Sequence, residues 1–192
     1  MKKNNTMNKM LLAAVFAIAG IQAQAQNAEA LWNIRFYTID SFEVNMEHYR
    51  NKPLALFTIN ASAPDMQQVL AIDSLNRKYN GAVNFIGVLL NDAAKTPGRG
   101  QVLNRFRSGT GISYPVTGFC KSKKTKNADE RHPLLYWLEE QSGNRHFVLN
   151  TSVPGQLFLV NEHGLLYGML SPGATISEKQ AEQWFTKSPG GE

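Results

Sequence analysis

Residues 52–92 constrain this chain more than any other stretch. Leu54–Asn60 is a short, almost wholly apolar run, the pattern of a strand covered on both faces. Residues 83–90 form a second run of the same kind. Between them Val69, Ile72, Leu75 and Tyr79 recur at helical spacing, and Gly81 supplies a stop signal. Ser62, followed three residues later by Asp65, is expected to cap this helix, with Pro64 in its first turn. Two buried strands joined by one helix make a right-handed crossover. In such units ligands and chemistry gather at the carboxyl end of the first strand, here residues 60–65.

The segment ahead of this unit reads as two parts. Lys2, Lys3 and Lys9 precede an apolar run at residues 10–21, too short to span a bilayer, and Ala23-Gln24-Ala25 is a small-x-small cleavage site. Residues 1–25 are therefore predicted to be a signal peptide cleaved after Ala25. The remainder, residues 26–192, is expected to be an exported domain, periplasmic or secreted, with no stable membrane anchor. Removing the three leader lysines lowers the formal charge from +5 to +2, so the basic balance is partly a targeting effect and gives no ground for nucleic-acid binding. The chain has one cysteine, Cys120. That excludes an internal disulfide and any redox cycle that needs two thiols in one chain.

The rest of the chain is legible in outline. Residues 36–40 and 42–46 predict an N-terminal hairpin around Asp40-Ser41. Residues 101–108 carry a short helical pattern with Val102, Leu103 and Phe106 on one side, ended by Gly109-Thr110-Gly111. Tyr114-Pro115-Val116 is a brief extended piece, and the Lys-rich stretch 120–131 predicts a mobile surface loop. His132-Pro133 opens a helix through Trp137 and Leu138, closed by Ser142-Gly143-Asn144. Residues 156–160 and 165–170 read as a hairpin about Asn161-Glu162-His163-Gly164. A last helix starts at Ser177 with Ala181, Trp184 and Phe185 as its apolar side, and Ser188-Pro189-Gly190-Gly191 is a frayed tail. This order predicts an α/β fold of thioredoxin-like arrangement, a central mixed sheet flanked by helices on both faces.

Several segments, in order, resemble the glutathione peroxidase family across nearly the whole chain after the leader. Tyr49-Arg50-Asn51-Lys52-Pro53-Leu54 resembles its Y-x-G-K-x-L, Asn60-Ala61-Ser62 its N-V-A-S turn, and Leu90-Asn91-Asp92 its C-N-Q. Tyr114-Pro115-Val116 resembles F-P-V, and His132-Pro133-Leu134-Leu135-Tyr136-Trp137-Leu138 resembles H-P-L-Y-x-x-L. Phe158-Leu159-Val160-Asn161-Glu162-His163-Gly164 resembles F-L-V-D-R-D-G. The resemblance implies a thioredoxin-like domain of glutathione peroxidase type and, in an intact member, hydroperoxide reduction in response to oxidative stress.

The same comparison implies an altered site. Where the family carries its peroxidatic Cys or selenocysteine, this chain has Pro64, which has neither a nucleophile nor an N–H. The family's assisting Gln falls at Lys95 or Thr96, and its Trp-Asn pair at Val153 and Pro154. Cys120 is the one thiol left as a catalytic candidate; it is expected to be a solvated loop thiol, or alternatively a redox-sensing or mixed-disulfide site whose thiolate the run Lys121, Lys123, Lys124 and Lys126 would favour. Asp65 and Asp92 are expected at the strand ends around the site, as caps, or alternatively as an acid/base pair. His132 at a helix start and His163 in a turn lack partners at metal-ligand spacing, so no metal and no cofactor are expected. Trp137 and Trp184 are expected in the core. The function expected is binding or interaction by a catalytically silent member, with an unknown protein or small-molecule partner. The alternative is a thiol-dependent hydroperoxide reductase using Cys120, or another reaction around Asp65 and Asp92.

Overall fold

The computed structural model describes residues 29–93, 96–108, 111–123, 131–140, 150–174, 176 and 178–186. The leader, Lys95, Lys124, Lys126, Ser177 and the expected ends at Gly109-Thr110, Ser142-Gly143-Asn144 and 188–191 lie outside these residues. β1 (Arg35–Tyr37) and β2 (Glu43–Asn45) pair antiparallel as the N-terminal hairpin. The core unit follows as β3 (Leu54–Asn60), α1 (Met66–Lys78) and β4 (Asn84–Leu90). A short helix α2 (Arg99–Leu103) runs into a wider turn at Asn104–Ser108. Then come α3 (Pro133–Glu140), β5 (Leu157–Val160), β6 (Leu166–Leu170) and α4 (Glu178–Thr186).

β3 is central. It pairs parallel with β4 from Leu54↔Asn84 to Asn60↔Leu90 and antiparallel with β5, which pairs antiparallel with β6, giving the order β4-β3-β5-β6. Alternation along the strands divides two apolar layers. Ala55, Phe57, Ile59, Phe85 and Leu89 face Val69 and Ile72 of α1, Val102 of α2, and Ala181 and Phe185 of α4. Leu54, Leu56, Ile86, Val88 and Phe158 face Leu134, Leu135, Trp137 and Leu138 of α3 together with Phe36 and Val44 of the hairpin. Trp137 is thus a core residue as expected, and Trp184 packs against the first layer.

Two polar anchors fix this frame. Asp73 on α1 is buried and accepts from the Ser113 N–H at 2.7 Å, the Ser113 hydroxyl at 2.9 Å and Arg77 Nε at 2.7 Å. Burial pushes its carboxyl up, but those hydrogen bonds outweigh it and hold the group below the usual range. Arg99 Nε donates to the Ile39 carbonyl at 2.6 Å and Arg107 Nε to Asp40 at 3.0 Å, so the arginines after β4 clamp the tip of the hairpin.

Two expectations need correction. The cap of α1 is Asp65, not Ser62, and Pro64 stands outside the helix. Asn60 Oδ1 accepts the N–H groups of Ser62 and Ala63 at 3.0 and 3.2 Å, holding a local turn. Ala63, as the residue before proline, is biased away from helical backbone, so the helix begins only beyond Pro64. The second correction is the Lys-rich stretch. It does not start as a loose loop: the segment leading into it, residues 115–120, runs along the outer edge of β4. Gly87 N–H donates to Pro115 O at 2.9 Å, Thr117 N–H to Gly87 O at 2.8 Å, Cys120 N–H to Leu89 O at 3.1 Å and Asn91 N–H to Cys120 O at 2.8 Å. Lys121 in turn bridges Arg131.

Candidate functional site

The carboxyl end of β3 meets the start of α1 and the segment before β5. Thr58 stitches them together: its hydroxyl donates to the Val153 carbonyl at 3.0 Å and accepts the Gln156 N–H at 2.9 Å, while the Gly155 N–H reaches Thr58 O at 2.7 Å. Gln68, in the first turn of α1, donates from Nε2 to Gly155 O at 2.8 Å. Asp65 Oδ1 accepts the Gln68 N–H at 3.1 Å, the usual economy of a helix start. A cavity of about 170 Å³ opens between these groups, lined by Thr58, Asn60, Asp65, Gln68, Pro154 and Gly155 among others. Gly155 has φ +85°, and a Cβ there would stand 3.0 Å from Gln68 Oε1, so a side chain at this position would crowd the cavity wall.

The residues singled out from the sequence fall into two groups. Pro64 and Pro154 come to this end of the sheet, Pro64 in the turn and Pro154 in the cavity wall, with Val153 supplying its carbonyl to Thr58. Thr96 accepts from Asn91 Nδ2 at 3.0 Å, one strand over. Asp65 and Asp92 are not brought together on one cavity: Asp65 caps α1, and Asp92 Oδ1 accepts the Ser122 N–H at 3.0 Å. Each carboxylate serves backbone, as a cap does. His163 sits exposed in the β5–β6 turn.

Cys120 departs most from expectation. It pairs with Leu90 on the side opposite Asn60, which places it about 10 Å from the turn at two strand spacings. It is 7 % exposed rather than solvated, and its Sγ donates to Leu89 O at 3.5 Å. Burial pushes the thiol up to about 12; the His132 N–H beside it works weakly the other way. Lys121 and Lys123 do not make it a thiolate, because removing a thiol from water penalises the charged form more than surface cations help it.

The wall behind Cys120 is polar and buried. His132 Nδ1 accepts the Leu134 N–H at 3.2 Å and so caps α3, its ring standing edge-on to Phe36 at 4.8 Å. Burial brings its imidazole down to about 4. Arg131 Nε donates to Ser122 O at 3.1 Å, and the same guanidinium grips Glu139 through both carboxylate oxygens and Thr151 Oγ1 at 2.7 Å. None of this network was marked by the sequence, although His132-Pro133 did mark the helix start. Thr58, Gln68 and Gly155 were also missed; Gln68 standing three residues after a capping Asp65 is the signal that points to it.

Known structures share this architecture. The chain superposes on Trgpx in apo form with a TM-score of 0.57 at 16% identity, over 82% of this chain and 96% of that one. The fold is thioredoxin-like. T. cruzi GPX1 gives a TM-score of 0.54 at 14% identity over 81% of this chain and 94% of that one. A thiol:disulfide interchange protein of the thioredoxin family from Chlorobium tepidum TLS gives 0.56 at 14% identity over 79% and 92%. No protein-family model and no curated protein matches the sequence. Identities this low establish the fold, and the chemistry has to be read from the residues present. No helix among the described residues is long and apolar enough to cross a membrane.

Proposed function

We propose that this chain is an exported protein of glutathione peroxidase type that acts by binding, its peroxidatic position being occupied by Pro64. One observation carries the reading: the single thiol of the chain is buried, with its pKa pushed up to about 12. Such a group leaves roughly one thiolate in 100,000 at pH 7. Attack on an O–O bond needs that thiolate. The turn where a nucleophile would meet the α1 start holds Ala63, Pro64 and Asp65 instead. The cavity beside it is lined by the polar side chains of Thr58, Asn60, Asp65 and Gln68, which suits a site that holds a ligand without reacting with it.

Hydroperoxide consumption by the purified protein with a thiol reductant tests this, run beside Cys120→Ser and Pro64→Cys. The reading expects no turnover by the unmodified protein or by Cys120→Ser. Turnover gained by Pro64→Cys, where a thiol would sit at a helix start, would add that the pocket survives. Turnover that disappears in Cys120→Ser would overturn the reading.

A further inference from the structure

The cavity at the end of β3 carries a carboxylate at its rim. Asp65 is exposed, whereas Phe57, Ile59 and Val69 of the same lining are buried. The carboxylate therefore stands at the mouth, with the apolar side chains toward the bottom. Asp65 Oδ1 accepts the Gln68 N–H at 3.1 Å, which leaves Oδ2 open. Gln68 Nε2 donates to Gly155 O at 2.8 Å, which fixes the amide and leaves Oε1 as its open acceptor. This oxygen lies against Gly155, where a Cβ would stand 3.0 Å from it. Among the described residues neither Asp65 Oδ2 nor Gln68 Oε1 receives a hydrogen bond. The Thr58 hydroxyl, by contrast, is already bonded on both sides, to Val153 O and the Gln156 N–H.

Two open acceptors, one of them charged, call for a ligand group that donates and is positive. An ammonium does both, with three N–H donors and no acceptor. The start of α1 contributes about half an elementary positive charge, which the full negative charge of Asp65 outweighs. Size sets the rest of the ligand. The cavity holds about 170 Å³, and one of about 150 Å³ accommodates benzene, so about six heavy atoms fit. We propose that this cavity binds a free, short-chain primary alkylammonium, its nitrogen donating to Asp65 Oδ2 and Gln68 Oε1 and its alkyl chain lying against Phe57, Ile59 and Val69. A lysine side chain offers the same head, but its stem has to lead back out to a polypeptide, against the direction from charged mouth to apolar bottom. The inference rests on the binding reading above and names the ligand class for that same cavity.

Titration of the full chain with pentylammonium chloride at constant ionic strength, followed by NMR at the Gln68 side-chain amide, tests it. The expected result is one saturable site with a Kd on the order of 1 mM. Asp65→Asn should weaken binding about threefold, and it keeps the fold because Asn caps a helix as well as Asp does. Methylammonium, which lacks the chain, should bind at least about tenfold more weakly. Pentanoate, which the carboxylate repels, should not saturate the shift. No saturable shift up to about 20 mM pentylammonium would overturn the cavity as the site. 1-Pentanol or pentanoate binding as tightly as pentylammonium, with Asp65→Asn unaltered, would overturn the ammonium. Methylammonium binding as tightly would overturn the place of the alkyl chain. Nα-acetyl-lysinamide binding as tightly would overturn the free amine and make a lysine side chain the occupant. Each of these failures leaves the hydroperoxide assay untouched, and turnover that disappears in Cys120→Ser would overturn the binding reading without altering this titration.

Discussion

The turn at residues 60–65 and the edge segment at 115–122 flank the same strand end, on either side of Leu90. The first is open: it borders a cavity, its backbone is held by the Asn60 side chain, and a helix starts beside it. It has a helix start and an open cavity, but no thiol. The second has the thiol but none of the activation, since Cys120 is packed between Leu89 and the buried network of Arg131 and His132. A reactive cysteine needs access and an environment that favours the charged form, both at one place. Here the thiol and those conditions lie at two places about 10 Å apart.

The comparison breaks most easily on the thiol side. Arg131 has 1% of its side chain exposed and holds Glu139, Thr151 and Ser122 at once. Arg131→Ala removes the buried guanidinium that joins Glu139, Thr151 and Ser122, and denaturant unfolding should show a loss of about 3–5 kcal/mol. Cys120 should become accessible in the same variant. If stability changes by less than about 1 kcal/mol, the network does not seal this side.

A smaller effect comes from pH. Burial holds His132 near 4 in the folded chain against 6.5 for the free side chain. Between those values the unfolded chain binds the extra proton, so stability is full above pH 6.5 and falls as the pH drops toward 4. The loss should approach about 3 kcal/mol. His132→Asn keeps an oxygen to cap α3 and removes the titration, so its stability should stay flat across that window. An unchanged slope in the variant would assign the effect elsewhere.

Gly87 sharpens the packing of the edge segment against β4. A Cβ there would meet Ile59 Cδ1 at 2.8 Å, Tyr114 at 3.2 Å and Val116 at 3.3 Å. Gly87→Ala should cost about 1–3 kcal/mol in thermal or chemical unfolding, and a neutral result would mean the segment yields readily. On the open side the smallest change is expected: Asp65→Ala removes the cap of α1 for about 1 kcal/mol. If Asp65 were instead one half of an acid/base pair with Asp92, the variant would abolish an activity that the intact protein shows.

What the sequence could reveal differs between the two regions for a physical reason. β3, β4 and β5 are buried on both faces, so their apolar runs mark them almost to the residue. The helix spacing of Val69 and Ile72 did the same for α1. Segment 115–122 carries such a signal only at Pro115-Val116, read as a brief extended piece. It is fastened by backbone hydrogen bonds to Gly87, Leu89 and Asn91, which leave no trace in side-chain pattern, and the Lys-rich run that starts at its end reads as a solvated loop. Cys120 was misplaced for that reason. The turn was legible in composition but not in register, because Ser62 and Asp65 both satisfy the preference for a cap. The backbone bias before Pro64 decides between them. Gln68, Thr58 and Gly155 act through contacts with chain nearly a hundred residues away, which local spacing does not show.

The most direct test of this separation is the reactivity of Cys120 itself. Alkylation of the folded protein by iodoacetamide at pH 8 is compared with the same protein unfolded in guanidinium. A thiol at 7 % exposure with a pKa near 12 should be unmodified over a time in which the unfolded chain reacts completely. A folded-state rate equal to that of the unfolded chain would contradict it, and would place a usable thiol at the edge of β4.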